Sequence, residues 1–151
     1  MSRDEIAIAR RKIGVVHQDC QFLDHLSVIE NIALPLEVAG QDRLSDQMNL
    51  KELLAWVGLN KRAEAYPPEL SGGERQRAAL ARAIIMSPDI ILADEPSGNL
   101  DSTAAKQLHK LFFELRDKLN QTFIIVTHNE ELANMADRKL TMNDGKIVAK
   151  I

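Results

Sequence analysis

The sequence predicts an α/β domain with parallel strands, and three observations carry that expectation. Ile90-Ile91-Leu92-Ala93 and the run from Thr122 to Thr127 are continuous apolar stretches joined through a segment of helical period. A shorter apolar run, Ile13 to Val16, precedes them, and all three end at polar residues. Strands that are apolar at successive positions are expected to lie parallel and to be covered on both faces.

Taken in order, residues 2–12 are polar and charged and end in Arg10-Arg11-Lys12. Ile13 to Val16 reads as a short buried strand that stops at His17-Gln18-Asp19. The following stretch, to about Pro68, reads as helical. Within it Leu50, Leu53, Leu54 and Val57 fall on one helix face, and Gly58 supplies a stop. Pro67-Pro68 then separates this region from the next. A helix is expected over 72–86, a strand over 90–93, and a helix with Leu108, Leu111, Phe112, Leu115 and Leu119 on one face. The strand 122–127 follows, then a short helix over 130–136 and a hairpin turning at Asn143-Asp144-Gly145.

Composition narrows the function classes. Hydrophobic residues make up 45% of the 151 positions and charged residues 27%, as in an ordinary globular domain. The formal charge of −3 supplies no basic field for nucleic acid or anionic lipid, so no nucleic-acid partner is expected. Cys20 is the single cysteine, which excludes an intramolecular disulfide and favours a reducing compartment. No apolar run approaches the roughly 18 residues of a spanning helix, and nothing resembles a signal peptide. Any membrane connection is expected to go through a partner.

In α/β sheets ligands bind beyond the carboxyl ends of the strands. Gln18, Asp94-Glu95 and His128 stand at three such ends, which suggests a shared polar crevice. Asp94-Glu95 is either an acidic turn or a nucleotide site. In the second case Asp94 would hold Mg²⁺, as a hard carboxylate suits a hard cation, and Glu95 would act on the attacking water as general base. Ser71-Gly72-Gly73-Glu74 has the spacing of a capping box. The two glycines also permit close approach of a phosphate to a helix N-terminus, and both readings stand.

Together these residues resemble the ABC ATPases. Leu70 to Gln76 is similar to their signature motif and Ile90 to Glu95 to their Walker B. Gly98-Asn99-Leu100-Asp101 resembles the D-loop, Gln18 the Q-loop glutamine and His128 the switch histidine, over residues 13–151. The resemblance implies a P-loop NTPase-type core with a helical subdomain: a Q-loop strand and Q-loop over 13–19, a helical subdomain with the signature over about 20–88, and the remaining core over 89–151. It implies that Ser71 and Gly73 touch the γ-phosphate of ATP held by a second, head-to-tail ATPase subunit, with Gly72 among the nucleotide-binding residues. Gln18 would reach Mg²⁺, directly or through water, and His128 the γ-phosphate, while Asp101 would cross the dimer interface. Glu95 and His128 would be the catalytic pair. The further partner implied is a transmembrane subunit, which would hold the protein at the cytoplasmic face of the inner membrane.

The sequence departs from the family in one respect. No G-x-x-x-x-G-K-[ST] occurs, so the Walker A strand and the N-terminal β-subdomain are not expected here. In the family these lie upstream of the position of Met1, roughly a third of the domain. ATP and Mg²⁺ are therefore expected to bind weakly and turnover to be near background. An open sheet edge and a bared apolar patch are expected to drive self-association, or else local refolding onto the edge.

Other residues make smaller claims. Cys20 is read as a bystander, His17, His25 and His109 do not form a zinc set, and Trp56 is read as core. The apolar stretch from Phe22 to Leu36 is either core or part of a groove for the membrane subunit's coupling helix. Asp94-Glu95-Pro96-Ser97-Gly98-Asn99-Leu100-Asp101 resembles the branch holding cell-division, lipoprotein-release and macrolide-export ATPases. Residues 13–94 look more like the first of these and 97–151 more like the second, as in a recombinant joined near Asp94-Glu95-Pro96. A motor subunit for a membrane complex is the expectation. An inactive fragment or engineered fold module retaining the motifs is the alternative. A soluble relative acting on DNA or ribosomes is disfavoured by the short span between Gln18 and Ser71.

Overall fold

The computed structural model describes residues 1–40 and 43–150, with side chains described except at 43–49 and 150. The part of the expected helical stretch at Gln41 and Asp42 lies outside the described residues.

Three strands form one parallel sheet: β1 (Ile13–Val16), β2 (Ile90–Asp94) and β3 (Thr122–Val126), in the order β1-β2-β3. Val16 lies opposite Ala93, and Ala93 opposite Ile125, so the three carboxyl ends come level at one edge. The α/β fold with parallel strands is what the apolar runs predict. Their burial is not. Alternate side chains point to opposite faces of a strand, and the helices pack on one face alone. Val16, Ile91 and Ala93 are buried on that side. On the other, Ile13, Val15, Leu92, Ile124 and Val126 are 37–59% exposed, because no described element covers them.

The covering layer consists of α2 (Val28–Val38), α4 (Gly72–Ile84) and α5 (Ser102–Leu119). Helix α4 lies so close to β1 that a Cβ at Gly14 would come within 2.5 Å of the Ala83 carbonyl oxygen. Helix α5 meets β3 through Phe112 and Phe123, whose rings sit edge to face with centroids 5.3 Å apart. One apolar cluster joins Val16, Ile32, Leu54, Leu59, Leu80, Ile91, Phe112 and Leu115. It runs without a seam across the Asp94-Glu95-Pro96 joint, so it lends no support to a recombinant origin.

The helical stretch after β1 is more broken than expected. Cys20 and Gln21 adopt positive φ (61° and 49°), and no helix begins until Ser27 caps α2 with Glu30 in a reciprocal box. The buried Asn31 amide fixes the preceding loop, accepting from the Leu23 N–H and donating toward the carbonyls of Leu23, Leu26 and Ser27. Helix α3 (Arg43–Trp56) stops before Gly58, at φ 71°, and single 3₁₀ turns follow at Asn60–Arg62 and Pro67–Glu69.

At the start, residues expected only to be polar form α1 (Arg3–Arg11), capped by Ser2 and Glu5. It buries none of its residues. After β3 come α6 (Glu130–Met135) and the hairpin of β4 (Leu140–Asn143) and β5 (Lys146–Lys150). Asp144 and Gly145, both at positive φ (47° and 75°), make the two-residue turn read from the sequence.

Candidate functional site

The site is assembled at the carboxyl edge of the sheet. Asp94 closes β2 with an exposed carboxylate that makes no hydrogen bond among the described residues. Glu95 follows in a left-handed conformation, φ 44°, which a non-glycine residue adopts at a cost of order 1 kcal/mol or more. That turn swings its side chain across to the end of β3. Its Oε1 accepts the His128 N–H at 2.9 Å and lies 3.5 Å from His128 Nε2. Its Oε2 lies 3.5 Å from the Thr127 hydroxyl. The His128 side chain is otherwise open, at 99% exposure.

Gln18 stands beyond β1, and its Nε2 donates to Asn99 Oδ1 at 3.1 Å. The neighbouring Gly98 leaves room for this amide, since a Cβ would come within 2.6 Å of Gln18 Nε2 and the side chain would have to shift. The turn holding Asn99 is pinned from below. The buried His109 places Nε2 2.7 Å from the Ser97 hydroxyl, and Gly98 N–H donates to the Glu95 carbonyl at 3.0 Å. Asp101 ends the turn as the N-cap of α5, accepting the Ala104 N–H at 2.8 Å.

Ser71 caps α4. Its hydroxyl accepts the Glu74 N–H, and Glu74 Oε1 accepts the Ser71 N–H at 3.0 Å. Those bonds, with Arg62 at 2.9 Å, hold the Glu74 carboxyl below its ordinary range. Gly72 and Gly73 have a packing reason within the chain itself. Added Cβ atoms would press on Leu100 Cδ2 at 3.2 Å and Ala104 Cβ at 3.3 Å.

The structure therefore brings Gln18 to Asn99, and Glu95 to His128. Ser71, Gly72 and Gly73 lie against the start of α5 and share no hydrogen bond with Glu95 or His128 among the described residues. Sequence reading missed the partners Gln76, Ser97, Thr127 and His109. Gln76 carried a signal, since it occupies the stripe Gln76-Ala79-Leu80-Ala83-Ile84 that α4 buries. An amide in an apolar stripe marks a buried polar contact.

A parallel sheet with acidic and polar side chains gathered at its carboxyl edge is the framework of an α/β nucleotide-binding domain. The chain belongs to the ABC transporter family, whose model matches residues 1–98. It is 48% identical over 98% of its length to the lipoprotein-releasing system ATP-binding protein LolD of Bacteroides fragilis, covering 69% of that relative. It is 49% identical to LolD of Bacteroides thetaiotaomicron, over 97% of this chain and 68% of the relative. With LolD of Cytophaga hutchinsonii it shares 46% identity over 94% of its length and 65% of the relative. The chain thus spans about two thirds of these proteins. Among solved structures, the ATP-binding cassette MJ0796, in a dimeric post-hydrolysis state bound to ADP and Pi, superposes with a TM-score of 0.84. That match has 33% identity and covers 100% of this chain and 67% of the other.

Proposed function

We propose that the chain supplies part of the nucleotide site of an ATP-hydrolysing subunit that drives a lipoprotein-releasing membrane complex. The observation that carries this reading is the Glu95 carboxylate, held against His128 at the strand ends beside the open carboxylate of Asp94. Glu95 acts as general base. The His128 N–H fixes one carboxylate oxygen, and the second has only a long contact to Thr127, so it can accept a proton from water. His128 presents an exposed imidazole to a phosphate oxygen. Ser71, Gly72, Gly73 and Asp101 act across a head-to-tail interface with a second subunit.

The donor set fits Mg²⁺. Among the described residues Asp94 offers a carboxylate with no hydrogen-bond partner, and Gln18 gives its N–H to Asn99 while its amide oxygen accepts none. Bound Mg²⁺ would offset charge on the phosphate oxygens. The division into 13–19, 20–88 and 89–151 belongs to the same proposal.

A transmembrane partner is supported by a groove of about 410 Å³ between α2 and β1, lined by Ile13, Val15, Leu34, Pro35 and Val38 together with Arg10, Arg11 and Arg82. No described helix is long and apolar enough to cross a membrane, so the proposed place at the cytoplasmic face depends on that partner. The lipoprotein-releasing relatives favour release over cell division. One observation favours the second reading, an inactive module. The 151 residues contain no G-x-x-x-x-G-K-[ST] loop to cradle phosphates. By themselves they should bind Mg-ATP with millimolar or weaker affinity and hydrolyse it near background. Calorimetric titration tests this, and low-micromolar binding would contradict it.

A further inference from the structure

Strand β1 lies at one margin of the sheet, so half of its backbone groups face away from β2. The Ile90 N–H donates to the Lys12 carbonyl, and alternation along the strand then turns the N–H and C=O of Gly14 and Val16 toward β2. Those of Ile13 and Val15 point outward, and they have no hydrogen-bond partner on that side among the described residues. This edge is the floor of the groove of about 410 Å³ beside α2. Leu34, Pro35 and Val38 form one wall, and Ala83 and Met86, at and just beyond the end of α4, form another. Much of the surface is apolar and open: Ile13 and Val15 are 41% and 39% exposed, and Val38 is 79% exposed.

The charges on this groove have one sign. Arg10, Arg11 and Arg82 line it, and no acidic residue does among the described residues. Arg82 is committed to the carbonyls of Cys20 and Gln21. The guanidinium groups of Arg10 and Arg11, at the exposed end of α1, have no ion pair or hydrogen bond among the described residues. Charges beside a strand edge ordinarily keep other strands away. Charges of a single sign repel only strands of that sign and attract those of the other. The opposite margin of the sheet differs, since the groove beside β3 carries Arg116 and Arg138 together with Glu130 and Asp137 and so selects no sign.

We propose that the β1 edge is a docking slot for an extended, acidic segment of a partner protein, which adds a strand beside β1 and sets carboxylates against Arg10 and Arg11. Backbone pairing to Ile13 and Val15 supplies the affinity, and the walls and arginines choose the partner. An anionic lipid would satisfy the arginines but leave the strand edge unpaired. The inference rests on the groove being a partner surface, as proposed above, and adds the conformation and charge of what fills it.

The probe is a short capped peptide of alternating glutamate and valine, titrated into the isotope-labelled chain with amide exchange followed by NMR. Binding should saturate and slow exchange of the Ile13 and Val15 amides by about tenfold or more. The double variant Arg10→Glu, Arg11→Glu should keep its melting temperature and bind about tenfold or more weakly. A lysine–valine peptide should not bind. Absence of binding by the acidic peptide, equal binding of the basic one, or binding by the double variant as tight as by the parent overturns the proposal. So does tighter binding of phosphatidylglycerol vesicles than of the peptide, which would make the slot a lipid site. Protection of both amides in the chain alone, rising with its concentration, would place a second copy there and likewise overturn it. Binding of the peptide as a helix, with Ile13 and Val15 unprotected, overturns strand addition while leaving the groove as a surface for a transmembrane partner. None of these outcomes involves ATP, so the nucleotide reading stands or falls separately.

Discussion

His109 and Cys20 show what burial does to single groups in this chain. His109 is 3% exposed and bonded to Ser97. Burial lowers its pKa, with Glu131 opposing in part. A folded pKa below the unfolded value favours the neutral ring. The stability it contributes is complete above the ordinary value of 6.5 and is lost as pH falls through the lowered folded pKa. His109→Gln keeps an amide N–H for Ser97 and does not titrate, so its urea midpoint should fall less on acidification than the parent's. Equal falls would show that His109 is not the sensitive group. Burial also raises the Cys20 thiol to about 11, partly countered by Arg82. Arg82 donates to the Cys20 and Gln21 carbonyls and lies 4.6 Å over the Phe22 ring, which closes the loop around the thiol. Iodoacetamide at neutral pH should label Cys20 slowly, at a rate that rises sharply in denaturant; rapid labelling of the folded chain would contradict this.

Elements were legible where their own residues encode them. The stripe Leu108, Leu111, Phe112 and Leu115 predicts α5, while the structure adds the cap at Asp101 that starts it and Asn120, at φ 51°, that ends it. Replacing Asp101 with Ala should cost about 1 kcal/mol in a chemical melt, since it removes the acceptor for the Ala104 N–H. An unchanged melt would deny the cap its role. Helix α1 escaped because its signal is a capping box with no buried face behind it. The bare face of the sheet was equally hidden. A run such as Ile90 to Ala93 is apolar on both sides, and only the packed structure reveals which side is covered. At the candidate site, the strand ends point to Gln18, Asp94, Glu95 and His128, and the structure brings Glu95 to His128. The Gln18 pairings with Asn99 and Gln76 bridge 81 and 58 residues, and no local pattern encodes such separations.

At the scale of the molecule, the sheet leaves Ile13, Val15, Leu92, Ile124 and Val126 on an uncovered face. Beside the β3 edge runs a groove of about 670 Å³ lined by Phe123, Ile125, Leu132 and Met142 among others. Unpaired strand edges and contiguous apolar surface favour association with another chain. Light scattering at micromolar concentration should show self-association, and a monodisperse monomer would refute it. The central claim, that the strand ends form the chemical half of an ATP site, is tested most directly by turnover. The chain should be joined to a relative's segment carrying the phosphate-binding loop and assayed beside the same fusion with Glu95→Gln. The account predicts retained Mg-ATP binding and a fall in hydrolysis of about 100-fold or more, the usual contribution of a general base. Equal turnover in the two proteins would contradict it.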